Sequence, residues 1–192
     1  MRTTPRISGL LAMAVLAVSL IAGTAGPAQA ATATGTAAVT PDPDAEVEIF
    51  PPLLTSTKCL DVPFGSNLVG TAVQIFHCHG GGNQLWNFAP MMRVDPFGNQ
   101  LYEVFNQAAK DCLGGPGGAE GSTVFQLACD GDPREEWSLR QSPFNPDRFQ
   151  LVSLFSGKCM TTANSSGADR TLVQVRTCVV GGEIPTQFWQ LG

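Results

Sequence analysis

Gly70-Thr71-Ala72-Val73-Gln74-Ile75-Phe76-His77-Cys78-His79-Gly80-Gly81-Gly82-Asn83-Gln84-Leu85-Trp86 is the stretch on which the fold turns, because its landmarks return twice more in the chain. With Cys59 upstream it presents a pair of cysteines followed by a tryptophan. Cys112, Cys129 and Trp137 repeat that order, and Cys159, Cys178 and Trp189 close the series, so that every cysteine and every tryptophan is used. Self-similarity at a spacing of about fifty residues means one supersecondary unit repeated, each copy unable to bury its apolar face alone.

Superposing the first cysteines places Ile49, Tyr102 and Phe149 ten residues before Cys59, Cys112 and Cys159. Short alternating segments recur at matching offsets: Val73-Gln74-Ile75-Phe76, Tyr102-Glu103-Val104-Phe105, Phe149-Gln150-Leu151-Val152 and Val173-Gln174-Val175-Arg176. Alternation of period two, broken by Gly, Pro and Asn, reads as strands, and nothing of helical period competes. Each copy then supplies four strands: one before the first cysteine, one through it, one ending at the second cysteine and one carrying the tryptophan. The joints around Asp95-Pro96-Phe97-Gly98-Asn99 and Ser142-Pro143-Phe144-Asn145 are turn-forming clusters. Twelve short strands in a closed pseudo-threefold array are expected, since closure removes exposed edges and lets the repeated aromatics share one core.

The cysteines lie 19, 17 and 19 positions apart within the copies, so 59–78, 112–129 and 159–178 is the simplest of the fifteen possible pairings. Such bridges need an oxidising compartment. The first thirty residues fit one: Arg2 and Arg6 precede an apolar run from Leu10 to Ala22, and Ala28-Gln29-Ala30 offers a cleavage site, the pattern of a secretory signal peptide. The run is too short for a bilayer span of about 20 residues, so secretion without a membrane anchor is expected. Residues 31–45, with Asp42 and Asp44 among prolines, read as a flexible tail, and the domain as residues 46–192, with repeats at about 46–95, 96–144 and 145–192. The competing use of cysteine is zinc, for which His77 and His79 flank Cys78. Strand alternation sends the two imidazoles to one face and the thiol to the other, so no metal or other cofactor is expected.

Without Arg2 and Arg6 the chain holds nine basic and sixteen acidic groups, a formal −7. That balance excludes nucleic acid and anionic membrane as partners, because counterion release requires basic residues. Hydrolysis of a glycoside requires two carboxyls flanking the bond, and Asp61 has no partner in its own motif. Asp130, Asp132, Glu135 and Glu136 cluster in the second copy and read as a solvated loop. There is no Gly-x-Ser-x-Gly element, and bridged cysteines leave no thiol nucleophile, so no enzymatic activity is expected.

Cys59-Leu60-Asp61-Val62, then Gly70 through Cys78, then Gly82-Asn83-Gln84-Leu85-Trp86, resemble the ricin B-type lectin repeat. This is the β-trefoil family also known as carbohydrate-binding module 13, here of a secreted bacterial type. The resemblance covers all three copies. It implies an all-β β-trefoil in which Trp86, Trp137 and Trp189 belong to the core. It also implies that an aspartate two positions after the first cysteine, an aromatic two before the second and the asparagine before Gln-x-Trp contact sugar. In the first copy these are Asp61, Phe76 and Asn83, with Gln74 and Gln84 as supporting amides. Carboxylate, amide and aromatic face suit hydroxyls and the C–H side of a pyranose. The second copy has Gly114, Leu127 and Arg134 at those positions, with Glu135 for the glutamine; the third has Thr161, Arg176 and Thr186. One competent sugar site, with a glycan or polysaccharide as partner, is therefore expected. The alternative is a protein-binding trefoil, a protease inhibitor or toxin delivery subunit, with a relic sugar site. An aspartate in the place of Asp61 also commonly caps a turn.

Overall fold

The first strands among the described residues are two short ones, β1 (Ile49–Phe50) and β2 (Lys58–Asp61), and the pattern they begin occurs three times. The structure, a computed structural model, describes residues 40–51, 57–115, 117–181 and 186–192. The signal-peptide reading of residues 1–30 and the tail reading of residues 31–39 lie outside them. Of the remaining tail segment, Pro41 is buried, and Asn87 Nδ2 donates to the carbonyl of Ala45 at 3.2 Å.

The first repeat continues with β3 (Gln74–His77) and β4 (Trp86–Val94). The second holds β5 (Gln100–Asn106), β6 (Cys112–Gly114), β7 (Ser122–Thr123), β8 (Phe125–Leu127) and β9 (Glu136–Gln141). The third holds β10 (Phe149–Ser153), β11 (Cys159–Thr162), β12 (Thr171–Arg176) and β13 (Gln190–Leu191). These are the twelve expected strands with one interruption. The third strand of the second repeat splits at Val124 into β7, which pairs with β12, and β8, which pairs with β6, and the backbone of Val124 between them turns to the axis. Its N–H donates to Val173 O at 2.8 Å, Val173 N–H donates to Val73 O at 3.0 Å, and Val73 N–H donates to Val124 O at 2.9 Å. This cyclic triangle of three fully buried valines marks the pseudo-threefold axis.

Two layers surround that axis. First and fourth strands form a closed ring: β4 pairs β5, β5 pairs β9, β9 pairs β10, Phe149 of β10 bridges Trp189, β13 pairs β1, and Val47 bridges Trp86 of β4. Second and third strands form three hairpins, β2 with β3, β6 with β8 and β11 with β12. They meet each other through β12 with β3, β12 with β7 and the Ala72–Phe125 bridge. The result is an all-β β-trefoil.

The core follows the repeats. Each tryptophan is buried and its Nε1 donates to the carbonyl of the residue after the first cysteine: Trp86 to Leu60 at 3.0 Å, Trp137 to Leu113 at 2.7 Å, Trp189 to Met160 at 3.1 Å. One side chain thus fills the barrel and satisfies a strand carbonyl of the hairpin above it, which explains why indole recurs rather than phenylalanine. Cys59–Cys78, Cys112–Cys129 and Cys159–Cys178 are bridged, as the spacing predicts. Each closed loop of 17 to 19 residues restricts the unfolded chain by about 3 kcal/mol on the loop-entropy model.

The acidic cluster of the second repeat departs from expectation. It is not a solvated loop: Glu135 and Glu136 are buried. Glu136 opens β9 and pairs with Arg93, while Glu135 fills a core slot that the other two repeats give to glutamine. Asp132 does stay near the surface, capping the 3-10 turn Pro133–Glu135 by accepting from Arg134 N–H at 2.9 Å.

Candidate functional site

Asp61 ends β2 directly across from Gln74 in β3, and Phe76 follows Gln74 on the same face of that strand. The 3-10 turn Gly82–Gln84 brings up the remaining groups, and Val62 N–H donates to Asn83 O at 3.0 Å, tying the turn to the end of β2. The Asp61 carboxylate, only 2 % exposed, accepts from three side-chain amides. Gln74 Nε2 donates to Oδ2 at 2.7 Å; Asn83 Nδ2 and Gln84 Nε2 donate to Oδ1 at 2.7 and 3.1 Å. Its partners are side chains rather than turn N–H groups, so Asp61 is the hub of a polar network and not a turn cap.

These residues floor a cavity of about 480 Å³ walled by Phe76, Phe64, Gly65, His79 and Arg170. Gln84 is fully buried and stands behind it. Its Nε2 also donates to His77 O at 3.0 Å, and its Oε1 accepts from His79 N–H at 2.8 Å. A carboxylate has about four acceptor positions, and three are taken, leaving one on Oδ2. Asp61 can therefore accept one further hydrogen bond, and the groups beside it must serve any second donor. Asn83 spends both amide protons, on Asp61 and on Val62 O at 3.1 Å, and keeps its oxygen as an acceptor. Gln74 keeps its oxygen and one proton. His79 Nδ1 accepts from Gly81 N–H at 3.2 Å, which assigns the proton to Nε2, 3.9 Å from Asp61 Oδ1. The floor thus mixes donors and acceptors beside the aromatic walls of Phe76 and Phe64. Cys78 spends its sulfur on Cys59, so the flanking histidines do not share a thiolate with a metal.

Phe64, His79 and Arg170 are cavity residues that sequence reasoning passed over. Arg170 comes from the third repeat, where its N–H donates to Ile75 O at 2.9 Å; only the contact between hairpins brings it there. His79 belongs to the loop after Cys78, whose position is legible in the sequence, but its imidazole is read there as a candidate metal ligand and not as a wall of the site.

The corresponding places in the other repeats differ in shape. In the second, Gly114 lies across from Phe125, and a β-carbon on Gly114 would meet Leu127 Cγ at 2.7 Å. Leu127 has closed over the space that Asp61 occupies in the first repeat. Arg134 is held by Asp132 through its Nε, at 2.9 Å, and Nη2. In the third, a cavity of about 500 Å³ remains, lined by Thr161, Arg176, Thr186 and Gln187, and among the described residues neither a carboxylate nor an aromatic face lines it.

Glu135 shows what the network position requires. Gln187, its counterpart in the third repeat, donates Nε2 to Thr177 O and accepts from Val179 N–H, both at 2.9 Å, as Gln84 does in the first. Glu135 accepts from Gly131 N–H at 3.1 Å, but its Oε1 is buried without a partner. Burial, with help from the Asp130 and Glu103 charges, raises its carboxyl pKa, against the lowering effect of the Gly131 and Asp130 N–H groups. A raised carboxyl favours the folded state below the ordinary pKa near 4.5, and that advantage is lost as pH rises through the folded value. Glu135→Gln, which restores the residue type whose amide donates to His77 O and Thr177 O in the other two repeats, is expected to stabilise the protein by about 1 kcal/mol at pH 7. The gain should shrink towards pH 4 in denaturant titrations; an unchanged midpoint at pH 7 would contradict the assignment.

Comparison with known proteins follows the same lines. Residues 82–176 match the family model described as ricin-type beta-trefoil lectin domain-like. That span takes in Asn83 and Gln84 but not Asp61, Gln74 or Phe76. No curated protein sequence matches the chain. Among solved structures, the designed threefold-symmetric protein ThreeFoil superposes with a TM-score of 0.66 at 24% identity, covering 76% of this chain and 96% of its own. The Rhizoctonia solani agglutinin gives 0.62 at 18% identity, with coverages of 80% and 98%. The Macrolepiota procera ricin B-like lectin in complex with lactose gives 0.59 at 16%, with coverages of 79% and 97%. Likeness at these identities establishes the fold.

Proposed function

From a chain that carries a ricin-type β-trefoil lectin-like domain, we propose that this protein is an exported carbohydrate-binding protein with one competent site, in the first repeat. One observation carries the reading. A single buried carboxylate, oriented by Gln74, Asn83 and Gln84, lies on the floor of an open cavity beside Phe76, with unspent donors and acceptors around it. Such a floor meets a run of sugar hydroxyls, and the ring meets the apolar face of the same sugar. The lactose-bound relative of the same fold supports the ligand class. Asp61 is the one carboxylate lining the cavity among the described residues, which favours binding over hydrolysis by a carboxyl pair. Export is supported by three disulfides; no helix among the described residues is long and apolar enough to cross a membrane. The protein-docking alternative loses part of its support, because Arg134 is engaged by Asp132 rather than presented to a partner.

A glycan array on the mature protein tests the class, and calorimetry with the strongest glycan tests the count. One site per chain is expected, with a Kd of about 10 µM to 1 mM, or roughly 4 to 7 kcal/mol, since a shallow patch must first strip water from hydroxyls. Leu127→Ala and Thr161→Ala should each leave affinity within about twofold of the parent. A stoichiometry of three, or loss of binding in Thr161→Ala, would reassign the third repeat.

A further inference from the structure

Phe64 stands at the lip of the same cavity in a conformation that its residue type avoids. Its backbone lies in the left-handed region, φ 56° and ψ 17°, where the β-carbon of a bulky L-residue crowds the following carbonyl. Its side chain is 95 % exposed, so the ring contributes nothing to the core. The fold asks for the left-handed conformation at this point but not for an aromatic. Asn164 holds the equivalent place in the third repeat, inside the matching 3-10 turn Ala163–Ser165, at φ 54° and ψ 24°. Asparagine enters that region with less strain, because its short polar side chain bonds locally. Folding therefore does not account for phenylalanine at position 64. An outlier of this kind, on the wall of a cavity, points to a task there.

We propose that Phe64 is a second stacking face and that the site takes a segment of at least two sugar units, from an oligo- or polysaccharide, rather than a lone monosaccharide. This rests on the carbohydrate reading of the cavity. One unit lies against Phe76, its hydroxyls on Asp61, Asn83 and Gln74. The adjoining unit leaves the cavity over Phe64, whose exposed ring covers the apolar C–H face of the sugar and loses its own contact with water. Specificity for chain length then resides in Phe64, and specificity for hydroxyl arrangement in the amides around Asp61.

The test is calorimetry of the whole mature chain against two series: xylose with its β-1,4-linked oligomers of two to four units, and galactose with lactose. In the parent protein the disaccharide should bind about three- to tenfold more tightly than its monosaccharide, the gain expected of one packed ring face. In Phe64→Asn that ratio should fall to about one while monosaccharide affinity holds within about twofold. The thermal midpoint of the variant should not fall, since Asn suits the turn. Phe64→Trp should restore the ratio. A chain-length gain that survives in Phe64→Asn, or monosaccharide and disaccharide affinities that fall together, would overturn the role of Phe64 and leave the sugar site standing. Failure of the parent protein to bind either series overturns the carbohydrate reading, and this inference with it.

Discussion

Asp61→Ala is expected to abolish measurable sugar binding and, unlike an ordinary surface change at a binding site, to lower stability as well. Both effects come from the same geometry. The carboxylate is the acceptor on which Gln74, Asn83 and Gln84 converge, so its removal takes away the lone pair offered to the ligand and also releases the amides that shape the rest of the floor. A hydrogen bond to a charged group contributes about 1.5 to 3 kcal/mol. With orientation lost too, affinity should fall by about 100-fold or more, below detection for a site this weak. Gln84 is fully buried and keeps one protein acceptor, His77 O. Stability should drop by about 1 to 3 kcal/mol, the cost of unmet buried polar groups. Phe76→Ala separates the two consequences. It removes the ring without touching the amide network, so binding should leave the measurable range while the thermal midpoint barely moves. Affinity retained in Asp61→Ala within about twofold would remove the first-repeat site from consideration.

What sequence inspection reaches here is whatever occurs three times. Disulfide pairing, the tryptophan core and the strand order were legible because each signal is tripled at matching offsets, and agreement among copies outweighs the weakness of any one short strand. The valine triangle at Val73, Val124 and Val173 sits five residues before each second cysteine, equally tripled, yet alternation alone marks those residues as strand and not as an axis. The site is different, because it is where the copies diverge. The family resemblance places Asp61, Phe76 and Asn83 together, but how many of the carboxylate's acceptor positions remain open depends on which amides already donate to it. Arg170 arrives from another repeat through a hairpin contact with no local signature. Glu135 illustrates the reverse error: four acids in seven residues read as solvated by charge, whereas its alignment with Gln84 and Gln187 already placed it in a buried slot.

Trp137→Ala is expected to cost about 3 to 5 kcal/mol, the range for large-to-small changes in a packed core, which is a large fraction of the 5 to 15 kcal/mol that holds a domain together. The residue is fully buried, and the indole does two things that alanine cannot. It fills the barrel beneath the second hairpin, and its Nε1–H satisfies the Leu113 carbonyl at 2.7 Å, so truncation leaves both a void and an unmet acceptor. Trp137→Phe resolves the two contributions: it keeps most of the volume and loses the donor, and should cost about 1 to 3 kcal/mol. The second repeat already carries the unpaired Glu135 oxygen in its core. Its hairpin closes on a glycine, Gly114, where Leu127 leaves no room for a β-carbon. Sugar affinity of the folded fraction should remain at the parent value, because the first-repeat cavity shares none of its lining with Trp137. A variant with an unchanged midpoint and lost binding would mean that this tryptophan serves the ligand and not the core.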